Sequence, residues 1–341
     1  MIELSMLPGK DGDCLLLTYG DPPRRVLIDG GRAATYPLIK PVLAALEPPR
    51  IDLLVVTHVD QDHVLGVLAL FDDDERVAVG EVWFNGFDHL MDKPLETFGP
   101  RDGELLTTAL MAQRVPWNRA FDGQAVEVGR PGDEFHIVAP DRAALTRLVP
   151  LWEKECAENG LIPGVDPKPA GIAGFEQFGP VNVGELARTP FKADGSRTNA
   201  TSIAFLFEFD GVRILFTGDG DDRRIVESLR PLADAEGGRL RLDALKVAHH
   251  GSAGNISPGL LTMIDCPRYL FSTNGDRHGH PDPAAVARIL VHDAGEKELV
   301  FNYRARAELW DVPELRARFH YTVTTAPAEN DGTVTLTWNA D

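Results

Sequence analysis

Along the 341-residue chain, apolar positions follow two periods, and each period predicts a different element. IELSML, CLLLTY and RRVLIDGG are short apolar-rich runs set apart by PGKDGD and GDPP. They read as strands joined by tight turns, the last two as a hairpin. YPLIKPVLAALE shifts to a helical period, with Leu38, Val42, Leu43 and Leu46 roughly on one side. IDLLVVTH is almost continuously apolar and ends in polar residues. That is the pattern of a strand buried on both faces with a functional loop at its C-terminal end. VAVGEVWFNG and EFHIVAP predict further strands, and residues 101–118 and 142–160 predict helices, the second ending at Gly160. Residues 161–198 are rich in Pro, Gly and polar groups and read as a long loop or a partly disordered insertion.

The second half repeats this style without repeating sequence. TSIAFLFEF and VRILFTGD, joined by a DG turn, predict a hairpin. DRRIVESLRPLADA predicts a helix, as does PDPAAVARILVHDA, where Pro281 and Pro283 suit a helix start. LDALKVAHHGS, RYLFSTNG and ELVFNY predict strands, and FHYTVTTA with GTVTLTWN a C-terminal hairpin. In both halves, strands end in acidic or His-bearing loops and helices follow. Two sheets packed face to face with helices outside would bury such strands.

Candidate chemistry collects at those strand ends. His58-Val59-Asp60-Gln61-Asp62-His63 places four potential metal ligands in six residues. Two imidazoles and two carboxylates on one turn offer borderline nitrogen and hard oxygen donors to divalent ions. A helix-capping acidic turn would explain one Asp but neither His. Asp219, in ILFTGDGD, ends a second apolar strand between glycines. His249-His250-Gly251-Ser252 and His278-Gly279-His280 follow two more strands. Six of the ten His residues thus fall in strand-end clusters, leaving His89, His136, His292 and His320 as ordinary packed or surface residues. Asp29, beside two glycines, reads as a buried acceptor that organises loops, and Asp13 reads the same way on less.

Composition narrows the setting. Asp and Glu total 52 against 34 Lys and Arg, a formal charge of -18. That excludes broad adhesion to nucleic acid or anionic lipid, while a local cationic groove or bound divalent ions stay compatible with it. Cys14, Cys156 and Cys266 are far apart and odd in number, which excludes a disulfide framework or a cysteine zinc site. The N-terminus shows no signal-peptide pattern, and no apolar run approaches the ~18 residues of a membrane span. A cytoplasmic protein with no membrane association is the expectation; a homodimer is one open oligomeric state.

The segment HVDQDH resembles the His-x-His-x-Asp-His motif of the metallo-β-lactamase superfamily, with Asp60 in place of the second His. The segments GDC, IDGG, NATS, TGD, HHGS and GHP extend the resemblance to the metallo-β-lactamase-like domain of ComEC DNA-uptake proteins, here in a free-standing form. The match spans residues 1–70 and 196–290. It implies one domain over 1–341, an αββα sandwich, with an insertion at about 84–195 and a C-terminal extension at about 295–341. It also implies two divalent ions, zinc or manganese. His58 and Asp60 would hold one ion, Asp62, His63 and His280 the other, and Asp219 would bridge them. The usual further His before the TGD strand is replaced by Thr198-Asn199. His250 stands where phosphodiesterase relatives keep a general acid, although HHGS could instead supply a ligand. Asp62 would also orient the nucleophile, and His249, Ser252 and Asn199 would contact substrate.

The expected activity is metal-dependent hydrolysis of a phosphodiester, in nucleic acid or a small nucleotide, by a water activated between two ions. Alternatives are a lactonase or β-lactamase acting on C–O or C–N bonds, a small cyclic-nucleotide phosphodiesterase, and a metal-free interaction module. Trp83, Phe84, Phe87, Trp117 and Trp152 read first as core and second as a base-stacking surface.

Overall fold

The computed structural model describes residues 1–90, 101–129, 131–132, 134–158, 181–292, 294–330 and 332–339. Most of the insertion expected as a loop over 161–198, and Gly160, lie outside them. The strands are β1 (Ile2–Met6), β2 (Leu15–Tyr19), β3 (Arg24–Ile28), β4 (Arg50–Val55), β5 (Ala78–Trp83), β6 (Pro131–Gly132), β7 (Phe135–Ala139), β8 (Ala204–Phe209), β9 (Val212–Phe216), β10 (Leu240–Arg241), β11 (Ala244–Lys246), β12 (Ile264–Asp265), β13 (Arg268–Phe271), β14 (Lys297–Phe301), β15 (Tyr321–Thr325) and β16 (Val334–Trp338).

They form two large mixed sheets. One runs β16-β1-β2-β3-β4-β5 and the other β15-β14-β13-β11-β9-β8-β7-β6, with β10-β12 as a small separate pair. The hairpins β2–β3 and β8–β9 are antiparallel, whereas β3–β4–β5 and β9–β11–β13–β14–β15 pair in parallel. Parallel neighbours need crossovers, and helices supply several of them. Helix α1 (Tyr36–Ala44) links β3 to β4, and α2 (Gln61–Phe71) links β4 to β5. The helices Asp222–Ala235 and Pro283–Val291 serve the second sheet.

Alternation along the strands explains the layering. In β2, Leu15 and Leu17 enter the core between the sheets, while Leu16 enters the core under the helices. In β9, Ile214 and Phe216 face inward and Leu215 faces the helices of the other flank. Three apolar cores therefore separate four layers, helix–sheet–sheet–helix. Trp83, Phe84, Phe87 and Trp152 are buried in these cores, and the Trp117 indole donates to the Phe84 carbonyl at 2.7 Å, so packing accounts for the aromatic set. No helix among the described residues is long and apolar enough to cross a membrane.

One expectation fails. Residues 319–339 do not form a hairpin: β15 pairs in parallel with β14, and β16 pairs antiparallel with β1 in the other sheet. YTVTT and VTLTW have the same alternation, and each completes the edge of a different sheet. Proximity in sequence favoured a hairpin, and nothing in either strand encodes which edge is open.

Phe207 sits in the inter-sheet core against Tyr19, with ring centroids 4.9 Å apart. Phe207→Ala is expected to cost about 3–5 kcal/mol, read as a lower urea midpoint at unchanged slope.

Candidate metal centre

The site lies where the C-terminal ends of parallel strands from both sheets meet. The loop after β3 brings Asp29, and the loop after β4 brings His58, Asp60, Asp62 and His63. The loop after β9 brings Asp219, the loop after β11 His249 and His250, and the loop after β13 His280. The two sheets are tied there by a hydrogen bond from the Ile203 amide to the Thr57 carbonyl at 2.9 Å. Tight backbone contacts set the spacing. A Cβ on Gly12 would lie 1.6 Å from the Asp62 carbonyl oxygen, so only glycine lets the β1–β2 turn approach the His58–His63 loop.

Four imidazoles converge on one carboxylate oxygen. The Nε2 atoms of His58, His63, His249 and His250 lie 3.8, 3.5, 3.7 and 3.7 Å from Asp219 Oδ2. His63 Nε2 and His250 Nε2 are 3.3 Å apart, His250 Nε2 is 3.6 Å from Asp62 Oδ2, and His58 Nε2 is 3.7 Å from Asp60 Oδ2. Most of these spacings are long for hydrogen bonds. They suit donors sharing a cation, since two ligands ~2.1 Å from one tetrahedral ion stand ~3.4 Å apart.

Each ring is turned by a partner on its other nitrogen. His63 Nδ1 is 2.8 Å from Asp29 Oδ2. His58 Nδ1 lies 3.0 Å from Thr57 Oγ1, which itself donates to Asp29 Oδ2 at 2.7 Å. His249 Nδ1 faces Asn255 Oδ1 at 3.1 Å, and His250 Nδ1 faces the Ser272 carbonyl at 3.0 Å. An acceptor at Nδ1 keeps the proton there and leaves the Nε2 lone pair aimed inward. The fit to a metal is good on a second count: His58 Nε2 and Asp219 Oδ1 are buried without hydrogen-bond partners. Such orphaned atoms are costly unless a cation completes them.

Without a cation, protons on His63, His249 and His250 answer the buried charge of Asp219. Burial works against a charged His250, but Asp219 and Asp13 outweigh it and lift its ordinary value of 6.5 to about 10. Burial likewise opposes charge on His63, and Asp219 and Asp29 raise it well above its usual range. Burial would lift the Asp219 carboxyl, but His249, His250 and His63 hold it well below the carboxylate range.

The remaining residues expected from sequence have different neighbours. Asp29 is fully buried and also accepts from the Thr57 amide at 2.8 Å, which anchors the loop carrying His58. His280 makes no ion pair with Asp219; its Nδ1 is 3.2 Å from Asp282 Oδ1 and its ring packs on His249 at 5.3 Å. Asn199 is buried, donates to Asp194 Oδ2 at 2.7 Å and lies 3.3 Å from His249 Nδ1. The Ser252 hydroxyl accepts from the Gly254 amide at 3.2 Å within its own loop. His249 supplies an imidazole beside Asp219, in a chain that has Thr198-Asn199 where a ligand was expected.

Sequence reading undervalued several residues. Asp13 groups with His63, Asp219 and His250 as a set able to hold a metal ion. Lys246 is buried and ion-paired to Asp13 at 2.5 Å. A lysine inside the apolar run DALKVA was the available signal. Asn255 and Asp282, which orient His249 and His280, gave none beyond ordinary turn residues.

Metal and protons compete for the same nitrogens, so two outcomes follow. Zinc added to chelator-treated protein at 100 times its Kd should stabilise the fold by about 2.7 kcal/mol, seen as a raised Tm that Asp219→Ala abolishes. The raised His250 value stabilises the metal-free fold fully below 6.5, and that contribution is lost as pH rises through about 10. The Tm of the metal-free protein should therefore fall between neutral pH and pH 10.

No curated protein matches the chain. Among solved structures it is similar to the metallo-beta-lactamase fold protein YhfI from Bacillus subtilis, at 11% identity and a TM-score of 0.42, covering 98% of this chain and 99% of that one. Residues 8–140, which carry Asp13, Asp29 and the whole His58–His63 segment, match the family model of the metallo-beta-lactamase superfamily.

Proposed function

We propose that the chain is a metal-dependent hydrolase acting on phosphodiesters. The observation that carries this reading is the convergence of four imidazole Nε2 atoms on Asp219 Oδ2, each ring fixed from behind. His58, Asp60 and His249 would hold one divalent ion, Asp62, His63 and His250 a second, and Asp219 both. Ions bound there would acidify a water and neutralise charge developing on phosphoryl oxygens. The carboxylate of Asp60 in place of an imidazole hardens the first position, which favours manganese or mixed zinc–manganese occupancy over zinc alone.

The protein's own groups do the rest. Asp62, flanked by His250, fixes the approach of the attacking water. His250 turns Nε2 into the cluster and Nδ1 to Ser272, which suits a ligand better than a proton donor. His280 suits the donor's role: Asp282 orients its Nδ1, and its side chain retains some solvent exposure beside His249. Its other nitrogen would then protonate the leaving oxygen. The charge of -18 favours small nucleotide phosphodiesters over long nucleic acid.

Metal-loaded protein should hydrolyse bis(p-nitrophenyl) phosphate and leave nitrocefin and homoserine lactones untouched. Asp62→Ala and His63→Ala should abolish turnover with the fold intact, while His280→Ala should lower kcat by about 100-fold and spare metal content. Hydrolysis of nitrocefin or a lactone in place of the phosphodiester would move the substrate class; full activity in both Asp62→Ala and His63→Ala would end the reading.

A further inference from the structure

Behind the cluster lies a buried ion pair that hydrolysis does not call for. Lys246 ends β11, and Asp13 comes from the turn between β1 and β2, in the other sheet. Both are about 1% exposed, and Lys246 Nζ sits 2.5 Å from Asp13 Oδ2. The ammonium also donates to the Val247 carbonyl at 3.1 Å. The other carboxylate oxygen, Asp13 Oδ1, lies 3.3 Å from His250 Nδ1 and has no hydrogen bond of its own. His250 Nδ1 is directed at the Ser272 carbonyl, so Asp13 flanks that N–H as a fixed negative charge.

Asp13 has ligating atoms, and its grouping with His63, Asp219 and His250 raises the question of direct coordination. The geometry argues otherwise. Asp13 meets the Nδ1 edge of His250, whereas Asp62, His63 and Asp219 meet the Nε2 edge. One oxygen is already committed to Lys246, and an ammonium at that distance would repel a divalent ion.

Resting on the proposed metal site, we infer that Asp13 and Lys246 form a positioning pair that sets how strongly His250 donates to the ion. The carboxylate holds the Nδ1 proton in place and makes Nε2 more electron-rich. The ammonium keeps that carboxylate charged in an apolar surrounding and keeps it from drawing the imidazole off Ser272. Carboxylates behind metal-bound imidazoles act in this way, and their loss weakens metal affinity by about 10- to 100-fold. The pair also joins the two sheets directly beneath the site, so it ties His250 to the Gly12 turn against Asp62.

A purely structural ion pair and a positioning pair make different demands on the double variant. Removing one partner strands a buried charge, so Asp13→Asn and Lys246→Met should each lower Tm in the metal-free protein. Replacing both leaves a neutral pair, and Asp13→Asn with Lys246→Met together should recover most of the Tm. Cobalt(II) affinity, read from the visible absorption of the bound ion, should stay at least about 10-fold weaker in the double variant. The Nδ1–H proton resonance of His250 in the metal-free protein should also move upfield. A double variant that recovers Tm and binds cobalt(II) as the wild type does would overturn the inference. Should wild-type protein take up no cobalt(II), the metal-site reading falls by itself, and an unmoved His250 resonance then also overturns the pair's influence on that ring.

Discussion

The structure is organised around a buried carboxylate, Asp219, that meets four imidazoles without a direct hydrogen bond to close the arrangement. Taking a carboxylate out of water costs several kcal/mol, and the interior must return that through charge and hydrogen bonding. Protons on His63 and His250 can do so, and so can divalent cations. Either way, the loops of two sheets must hold their ring nitrogens around one oxygen. Positions at the ends of parallel strands allow this, because every such strand delivers its loop to the same edge. The turn between the antiparallel strands β1 and β2 sets spacing instead, as the Gly12 approach to Asp62 shows.

Orientation is settled one layer out. Asp29 is the clearest case: it accepts from the Thr57 amide and hydroxyl and faces His63 Nδ1, so one carboxylate fixes the loop, the tautomer of His63 and, through Thr57, that of His58. Asn255 and the Ser272 carbonyl perform the same service for His249 and His250. A backbone carbonyl, a hydroxyl, an amide and a carboxylate all appear, which means that the constraint selects acceptors at Nδ1 and not a residue type.

That constraint explains what was legible in the sequence. The His58–His63 segment could be read because its donors are adjacent in the chain, and the helix α2 that starts at Gln61 turns Asp62 and His63 toward the same space. Strands such as IDLLVVTH and VRILFTGD were readable from their apolar runs, and both end at the site. The orientation of His249, His250 and His280 was not readable, since it depends on which nitrogen finds an acceptor in the folded chain, Asn255 and Asp282 within the rings' own loops and the Ser272 carbonyl beyond another strand. Asp282 and Asn255 look like ordinary turn residues until folding sets them against a ring. The partners of β15 and β16 were hidden for a related reason, because each strand carries the same alternation and only the vacancy at a sheet edge distinguishes them.

His249 and His250 show how much local cost this edge tolerates. In an extended strand, adjacent side chains point to opposite faces, so two neighbouring His residues could not both reach Asp219. Here both adopt left-handed backbone angles, with φ of 48° and 54°, and both rings reach the carboxylate. Each such residue costs roughly 1–2 kcal/mol for a side chain with a Cβ. Glycine at either position would relieve that cost and remove the imidazole with it. Strained backbone that persists where a relaxed sequence was available marks a position held for its side chain. The pair of adjacent imidazoles is thus itself an argument that the fold gives up stability here to gather nitrogen donors.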